Sequence, residues 1–427
     1  MPNAQKIHDL LRPVRLPQIA CVRQSFDRSS LDSPVEELTR QLRGTVCIRP
    51  GQRIAITAGS RGIDRYAQLL RAMADFIREQ GGYPFLVPSM GSHGGGTAQG
   101  QQSLLERLGV TEQRVGAPIR ASMEVTAVGV TPRGLPVYLD KLACEADGII
   151  VFNRIKPHPS FQGKYESGLA KMLAIGLAKH KGAAMTHCLR FENMAENVEQ
   201  AARVAVEQAP VLCGVATLEN AYGSIAELHV LRREEILERE PELLGRASQL
   251  MPRICLDEID VLIVCEIGKD ITGSGVDPNI TGKHVTTLKD TGPKTTAMGV
   301  LRLTKATGKN PHGMGLADYM SRRIYDAMDV TDSYINSLTS LATLPAKIPI
   351  TLDTDELVCK ACAKASGVPD WRELKMVIVR DTKHLDTVYM SPAACREAMA
   401  TGQAEPEGDF FDLPFGGDGA LKLFVEQ

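Results

Sequence analysis

The chain has almost no net charge: 49 lysines and arginines against 51 aspartates and glutamates give −2 over 427 residues. Such a balance offers no basic face to a phosphate backbone, so nucleic acid is not an expected partner, whereas a small neutral or anionic ligand is allowed. No run approaches the roughly 18 apolar residues of a membrane span, and MPNAQKIHDLLRPVRLPQ lacks an apolar core of signal-peptide length. The expectation is a cytoplasmic protein with no membrane partner. Its ten cysteines are scattered through a chain too long to need staples, which fits a reducing compartment. The one paired spacing, CKAC at Cys359 and Cys362, stands in DELVCKACAKA, which reads as helix. With no second pair and no HExxH, a conventional zinc site is not expected. The GxGxxG of a dinucleotide site is missing as well, as are internal repeats and low-complexity tracts.

What is present reads as an ordinary globular composition, 43% hydrophobic and 23% charged, with length for two domains. Short β-rich runs alternate with helical periods. RIAIT leads through AGSRGI into DRYAQLLRAMADFIREQGG, whose closing glycine pair is a helix stop; YPFLVPS leads through a glycine loop into TAQGQQSLLERLG. DGIIVF, VLCGVATL, DVLIVCEI and LKMVIVR are further strands, and GLADYMSRRIYDAM has a helical period. This alternation predicts an α/β fold in two domains, with mainly parallel sheets flanked by helices and the active site in the cleft between domains. The charged stretch LRREEILEREPELLGRASQLMP is the expected helix at the junction. Residues 1–254 form the expected N-terminal α/β domain carrying the cofactor site, with a tail near 405–427 packing back on it. Residues 255–404 form the smaller domain.

Ligands of open α/β sheets lie where strands lead into helices. AGSRGID and GSHGGGTAQG both occupy such positions, where helix N-termini favour a phosphate or carboxylate. Glycine runs are also common in plain turns. The densest chemistry is in NRIKPHPSFQGKYESGLAKMLAIGLAKHKGAAMTH, which holds His158, Lys164, Lys171, His180 and His187. Lys171 is bracketed by Leu169, Ala170, Met172 and Leu173, so desolvation would lower its pKa and make it a nucleophile or covalent anchor. On local pattern alone a wet helix face is the commoner place for a lysine. His158 stands between two prolines in KPHP, which restrict the backbone around a candidate general base; a surface-loop histidine is the plain alternative. His187 is a candidate metal ligand, next to Cys188.

Together, GSH after a strand, the KPH histidine, ESGLAK, and a histidine sixteen residues beyond that lysine resemble the nickel-dependent lactate racemase family. The early TAGSR, the total length and the two-domain pattern agree with it. The resemblance implies a nickel-pincer nucleotide, a nickel pyridinium-3,5-dithiocarboxylic acid mononucleotide held as a thioamide on a lysine that falls on Lys171. It places the nickel ligand on His187, paired acid and base histidines on His93 and His158, and a substrate arginine on Arg61. It implies cofactor contacts from Ser167 and Gly168 of ESGLAK. It also implies separate carboxylating, sulfur-inserting and nickel-inserting enzymes as partners in the cell, without which the cofactor would be absent. A hydride leaves the carbinol carbon, one histidine takes the hydroxyl proton, and after the planar 2-keto acid reorients the other histidine reprotonates it. One base per face is the minimum for a reversible racemase. On this reading glycines 94, 95 and 96 are bare so that a flat ligand can approach beside His93.

The pattern departs from that family at two places. Ala58 replaces an acidic residue associated with the cofactor ribose, leaving Ser60 and Thr57 as hydroxyl donors to the phosphate or sugar. After GKDI, where Lys269 and Asp270 persist, the family's carboxylate-binding glutamine and lysine are missing; Asn279, Lys283 and His284 are the candidate replacements. The expected activity is racemisation or epimerisation of a 2-hydroxy acid or sugar acid. The alternatives are a nicotinamide-dependent hydroxy-acid dehydrogenase and a non-catalytic small-anion binding protein.

Overall fold

The computed structural model describes residues 4–187, 193–286 and 291–424, apart from the side chains of Ala4, His187 and Thr339. The chain divides into two compact units, Asp27–Met251 and Met1–Phe26 with Pro252–Gln427.

Unit Asp27–Met251 is built on a five-stranded sheet in the order Tyr83–Pro88, Arg53–Ala58, Gly148–Arg154, Val211–Glu219, Ile225–Arg232. The first four strands are parallel and the last is antiparallel. Both faces are covered, so the strands are apolar throughout and alternate between two cores. Ile54, Ile56, Ile150 and Phe152 face a core with Leu38, Leu69, Met73 and Phe76. Ala55, Ile149 and Val151 face another with Leu169, Leu173, Val198 and Leu243. The helix Tyr66–Glu79 buries Tyr66, Leu69, Leu70, Met73, Phe76 and Ile77, a stripe at helical spacing. It stops at the expected glycine pair, where Gly81 has φ +82° and its N–H bonds the Arg78 carbonyl.

The other unit carries an eight-stranded sheet in the order Ile350–Leu352, Tyr319–Ser321, Lys294–Leu303, Glu258–Ile267, Met376–Val379, Thr387–Met390, Ile19–Gln24, Ala404–Phe411. The first five strands are parallel and the remaining pairings antiparallel. This departs from the expected division in two respects. Residues 1–26 belong here and not to the N-terminal block, because Ile19–Gln24 is sandwiched between Thr387–Met390 and Ala404–Phe411. The tail near 405–427 also belongs here: its strand completes this sheet, and Leu421 and Leu423 pack with Leu11 and Ile19. Within the expected helix GLADYMSRRIYDAM, Tyr319–Ser321 is a strand beside Lys294–Leu303, and only Arg322–Ala327 is α-helical. Cys359 and Cys362 lie buried on the helix Asp355–Ala365, where burial raises both thiols far above neutrality. No helix among the described residues is long and apolar enough to cross a membrane.

Candidate active site

Parallel strands bring their carboxyl ends to one edge of a sheet. At that edge of unit Asp27–Met251, Arg53–Ala58 runs into Ser60 and Arg61, Tyr83–Pro88 into His93, and Gly148–Arg154 into Lys156 and His158. Lys171 follows on a short helical turn, Leu169–Lys171, continued as a π-turn over Met172–Gly176. Such turns are uncommon and concentrate at functional sites.

The loop of residues 155–168 is fixed from within and from behind. Lys156 N–H donates to the Ser167 carbonyl at 2.8 Å, and Asn153 Nδ2 to the Gly168 carbonyl at 2.7 Å. The buried Glu166 carboxylate accepts the His158 N–H at 2.7 Å and the Gly163 N–H at 3.2 Å. From behind, the helix Ile236–Leu250 supplies two anchors. Pro241 lacks the N–H that would bond the Leu237 carbonyl, and the Tyr165 hydroxyl donates to that carbonyl instead, at 2.6 Å. The neighbouring Glu240, 1% exposed, accepts the Ala170 N–H at 2.8 Å and also bonds the Leu169 N–H. Burial raises its carboxyl to about 8, against the lowering effect of those two donors. Gly168 is a necessity of this anchor: a Cβ there would stand 2.2 Å from Glu240 Oε1.

Lys171 is strongly perturbed. Its amine is lowered from 10.5 to about 7 by burial first and then by the Arg61 charge, with Glu166 opposing and Lys156 adding to the lowering. The Lys171 side chain is half-buried and Arg61 is exposed, although the guanidinium's own pKa is lowered by burial and then by Arg154. Exposed area follows the whole side chain, while the pKa follows the atoms around its head group, and here the latter decides the chemistry. A lysine near 7 is substantially neutral at physiological pH and therefore nucleophilic. Its Nζ lies 5.8 Å from the centroid of Phe161, whose ring also packs on His158 at 4.3 Å between centroids. Phe161 thus joins the two residues. Gly59 brings the Arg61 turn close: a Cβ there would lie 3.2 Å from Met172 Cε, and its N–H donates to the Tyr66 hydroxyl at 2.6 Å.

The two candidate acid and base histidines are set in opposite tautomers. His93 Nδ1 lies 2.8 Å from the Met90 carbonyl, which only accepts, so the neutral ring has its proton on Nδ1 and its lone pair on Nε2. His158 Nδ1 lies 3.0 Å from the Ser160 N–H, which only donates, so its neutral ring carries the proton on Nε2. The Gly91 N–H to Gly176 carbonyl bond, 3.1 Å, ties the His93 loop to the π-turn after Lys171. The loop's glycines are accounted for by conformation first: residues 94, 95 and 96 all have φ between +64° and +67°. A Cβ on Gly94 would strike the Gly100 backbone at 2.5 Å, one on Gly96 would meet the His180 ring at 3.5 Å, and only Gly95 faces open space.

Other expectations change in detail. Thr57 is withdrawn from any ligand: fully buried, its hydroxyl donates to the Phe152 carbonyl at 3.2 Å and accepts the Phe152 N–H at 2.8 Å, bridging two strands. Ser60 stays half-buried beside Arg61, and Ser167 is half-buried with its carbonyl committed to Lys156. The side chain of His187, and Cys188 beside it, lie outside the described residues. Among those described, no group of three or more His, Cys, Asp or Glu is placed to hold a metal ion. Lys269, Asn279, Lys283 and His284 belong to the other unit. There Lys269 Nζ donates to the Gly273 carbonyl at 3.0 Å, Asn279 bonds Asp277 and Thr291, Lys283 pairs with Asp318 at 2.9 Å, and His284 Nε2 accepts the Thr291 N–H at 3.3 Å. The residues shown together are therefore Arg61, Lys156, His158, Phe161, Glu166 and Lys171.

Phe161, Glu166 and Glu240 escape sequence reasoning. The one legible signal was Pro241 inside EREPELL, since a proline within a helix leaves a carbonyl for some other donor.

The lactate racemase N-terminal domain family matches residues 6–199. No curated protein matches the chain. The lactate racemase apoprotein from Thermoanaerobacterium thermosaccharolyticum is similar in structure, with TM-score 0.50 and 15% identity over 86% of this chain and 89% of that one. At that identity the likeness is one of fold. Residues 6–199 match the lactate racemase N-terminal domain family, and the chain is similar in fold to that lactate racemase apoprotein.

Proposed function

We propose that the protein is a racemase or epimerase of a 2-hydroxy acid or sugar acid, working with a nickel-pincer nucleotide tethered to Lys171. The domain match and the fold support a racemase-type function. The observation that carries the finer reading is the Lys171 amine, brought to about 7 and joined to His158 through Phe161.

The residues fit such a group. A neutral amine can form the covalent link, and Arg61 and Lys156 suit the phosphate of a nucleotide or the carboxylate of a substrate, while Arg154 is paired with Glu219. His187 would supply the nitrogen ligand to nickel. When bound, the group would supply a hydride-accepting centre, which no side chain provides. His93 takes the substrate hydroxyl proton at Nε2 and becomes an imidazolium, and His158, once protonated at Nδ1 as well, donates a proton from Nε2 to the alkoxide formed from the keto acid and is left neutral; in reverse the roles exchange. Arg61 orients the carboxylate, and covalent attachment at Lys171 keeps reacting partners in register.

The test is production together with the carboxylating, sulfur-inserting and nickel-inserting enzymes, then mass measurement of the Lys171 peptide and a chiral screen of 2-hydroxy and aldonic acids. An adduct on Lys171 with loss of optical purity is expected. An unmodified Lys171 under those conditions overturns the reading. If tight anion binding then survived in a His93→Ala, His158→Ala protein, a non-catalytic binding role would stand in its place.

A further inference from the structure

The helix Ala98–Arg107 buries only Gln101 and Leu105, one turn apart on a single face. Leu105 is the kind of residue such a face calls for. Gln101, 1% exposed, is not. This helix meets the His93 loop backbone to backbone: a Cβ on Gly100 would stand 1.9 Å from the Gly94 carbonyl oxygen. The close approach brings the Gln101 amide against the loop, where Nε2 donates to the Gly91 carbonyl at 2.8 Å and to the His93 carbonyl at 3.3 Å. Both partners only accept, so the nitrogen end of the amide is the one that faces them. Gln101 Oε1 is left buried with no hydrogen-bond partner among the described residues. A buried acceptor without a partner costs stability, so an apolar side chain of similar size would serve the packing at least as well. What glutamine adds is a pair of donor bonds to the two carbonyls.

Those bonds bear on the imidazole. The Met90 carbonyl receives both the His93 N–H, at 3.1 Å, and Nδ1, at 2.8 Å, so the ring's direction follows the turn of residues 90–93. Gly91, at φ +59°, allows that turn, and its N–H is tied to the Gly176 carbonyl at 3.1 Å. With the Gly91 carbonyl held by Gln101, the peptide between Gly91 and Ser92 cannot turn over without breaking a buried bond. The second bond fixes the peptide that leaves His93 for the glycine run.

We propose that Gln101 is a positioning residue for His93: through the Gly91 and His93 carbonyls it fixes the turn that aims Nδ1 at Met90, and so makes Nε2 the accepting nitrogen. Its part in turnover rests on the racemase reading, whereas its effect on the ring does not. Nitrogen NMR of the full cofactor-free chain with isotope-labelled histidine, at a pH where the rings are neutral, reads the tautomer of each ring, and His93→Gln and His158→Gln assign the two signals. In the unaltered chain His93 should carry its proton on Nδ1 and His158 on Nε2. Gln101→Met keeps the length and removes both donors; it should lower the ratio of Nδ1-protonated to Nε2-protonated His93 about fivefold or more and leave His158 unmoved. Gln101→Leu gives the same direction should Gln101→Met melt early. Gln102→Leu, at an exposed position on the same helix, should move neither ring. A His93 ring protonated on Nε2 in the unaltered chain, an unchanged ratio in the Gln101 variants, or a change that His158 or Gln102→Leu shares equally would each overturn the proposal. An unmodified Lys171 peptide defeats the racemase reading and leaves the tautomer result standing, while an unmoved His93 signal does the reverse.

Discussion

Replacing Lys171 by methionine tests the electrostatics on which the candidate site depends. Methionine keeps much of the side chain's length and removes the ammonium. Folding lowers the amine from 10.5 to about 7, so between those values the unfolded chain binds a proton that the folded chain does not. Below about 7 the group is charged in both states and the folded state bears the full cost of holding it. As pH rises towards 10.5 that cost disappears, so stability rises through this window. At about 1.4 kcal/mol for each tenfold, the upper bound is about 5 kcal/mol. Lys171 keeps partial solvent contact, and screening reduces the expected effect to about 1–2 kcal/mol. Lys171→Met should therefore stabilise the cofactor-free chain by that amount near pH 6 and by almost nothing near pH 10.5. Urea unfolding followed by circular dichroism across that range measures it, and acylation of Lys171 read by mass spectrometry should reach half its limiting rate near pH 7. Two stability curves that run parallel across the range, or acylation that only begins near pH 10, would refute the argument.

Five further substitutions probe the frame around that lysine. Gly168→Ala puts a Cβ 2.2 Å from Glu240 Oε1 and displaces the carboxylate from the turn it holds; a loss of about 2–4 kcal/mol is expected by calorimetry, and an unchanged melting temperature would count against the anchor. Thr57→Val removes both bonds to Phe152 and should cost about 1–3 kcal/mol without moving the pH profile of Lys171 acylation; a moved profile would return Thr57 to the site. Lys179→Met strands the buried Asp140, 2.9 Å from Lys179 Nζ, and should cost about 3–5 kcal/mol at neutral pH in urea unfolding; an unchanged midpoint would count against the pair. His93→Gln and His158→Gln should each lower turnover of the loaded enzyme by about 10² to 10⁴ while leaving the Lys171 adduct in place; an absent adduct would mean a structural role.

What was legible in the sequence was local. Apolar runs such as RIAIT and DVLIVCEI form strands because both their faces are covered, and the glycine pair after Tyr66–Glu79 ends that helix. The pairing of Ile19–Gln24 with strands near residues 390 and 406 was not legible, since nothing in six residues states which distant edge they complete. Thr57 misled for a related reason. A hydroxyl next to a glycine loop suggests a ligand, but at the centre of a parallel sheet its first partner is the neighbouring backbone. Lys171 was the converse case: its apolar neighbours hinted at desolvation, but two nearby cations, Arg61 and Lys156, complete the lowering, and they arrive from two other strand ends.

The deepest gap between motif and mechanism lies in the two histidines. GSH and KPH name the same residue type twice, and the spacing contains no hint that the two differ. The difference arises from the backbone group each Nδ1 meets: a carbonyl three residues earlier for His93, an N–H two residues later for His158. One ring is thereby set to accept at Nε2 and the other to donate from Nε2 before any substrate arrives. A symmetric pair of bases would need a proton shuffled between them before each turnover could begin. An asymmetric pair starts one direction directly. The neutral His93 can accept at Nε2 at once, whereas His158 must first take a second proton at Nδ1, giving up its Ser160 contact, before it can pass one on. Each turnover leaves one proton more on His93 and one fewer on His158 until solvent restores both. The expected consequence is unequal initial rates from the two enantiomers of one substrate, with the bias reversed or erased when Met90 or Ser160 is moved by insertion of a residue, and an equal start from both enantiomers would show that the Nδ1 contacts do not set the order of proton transfer.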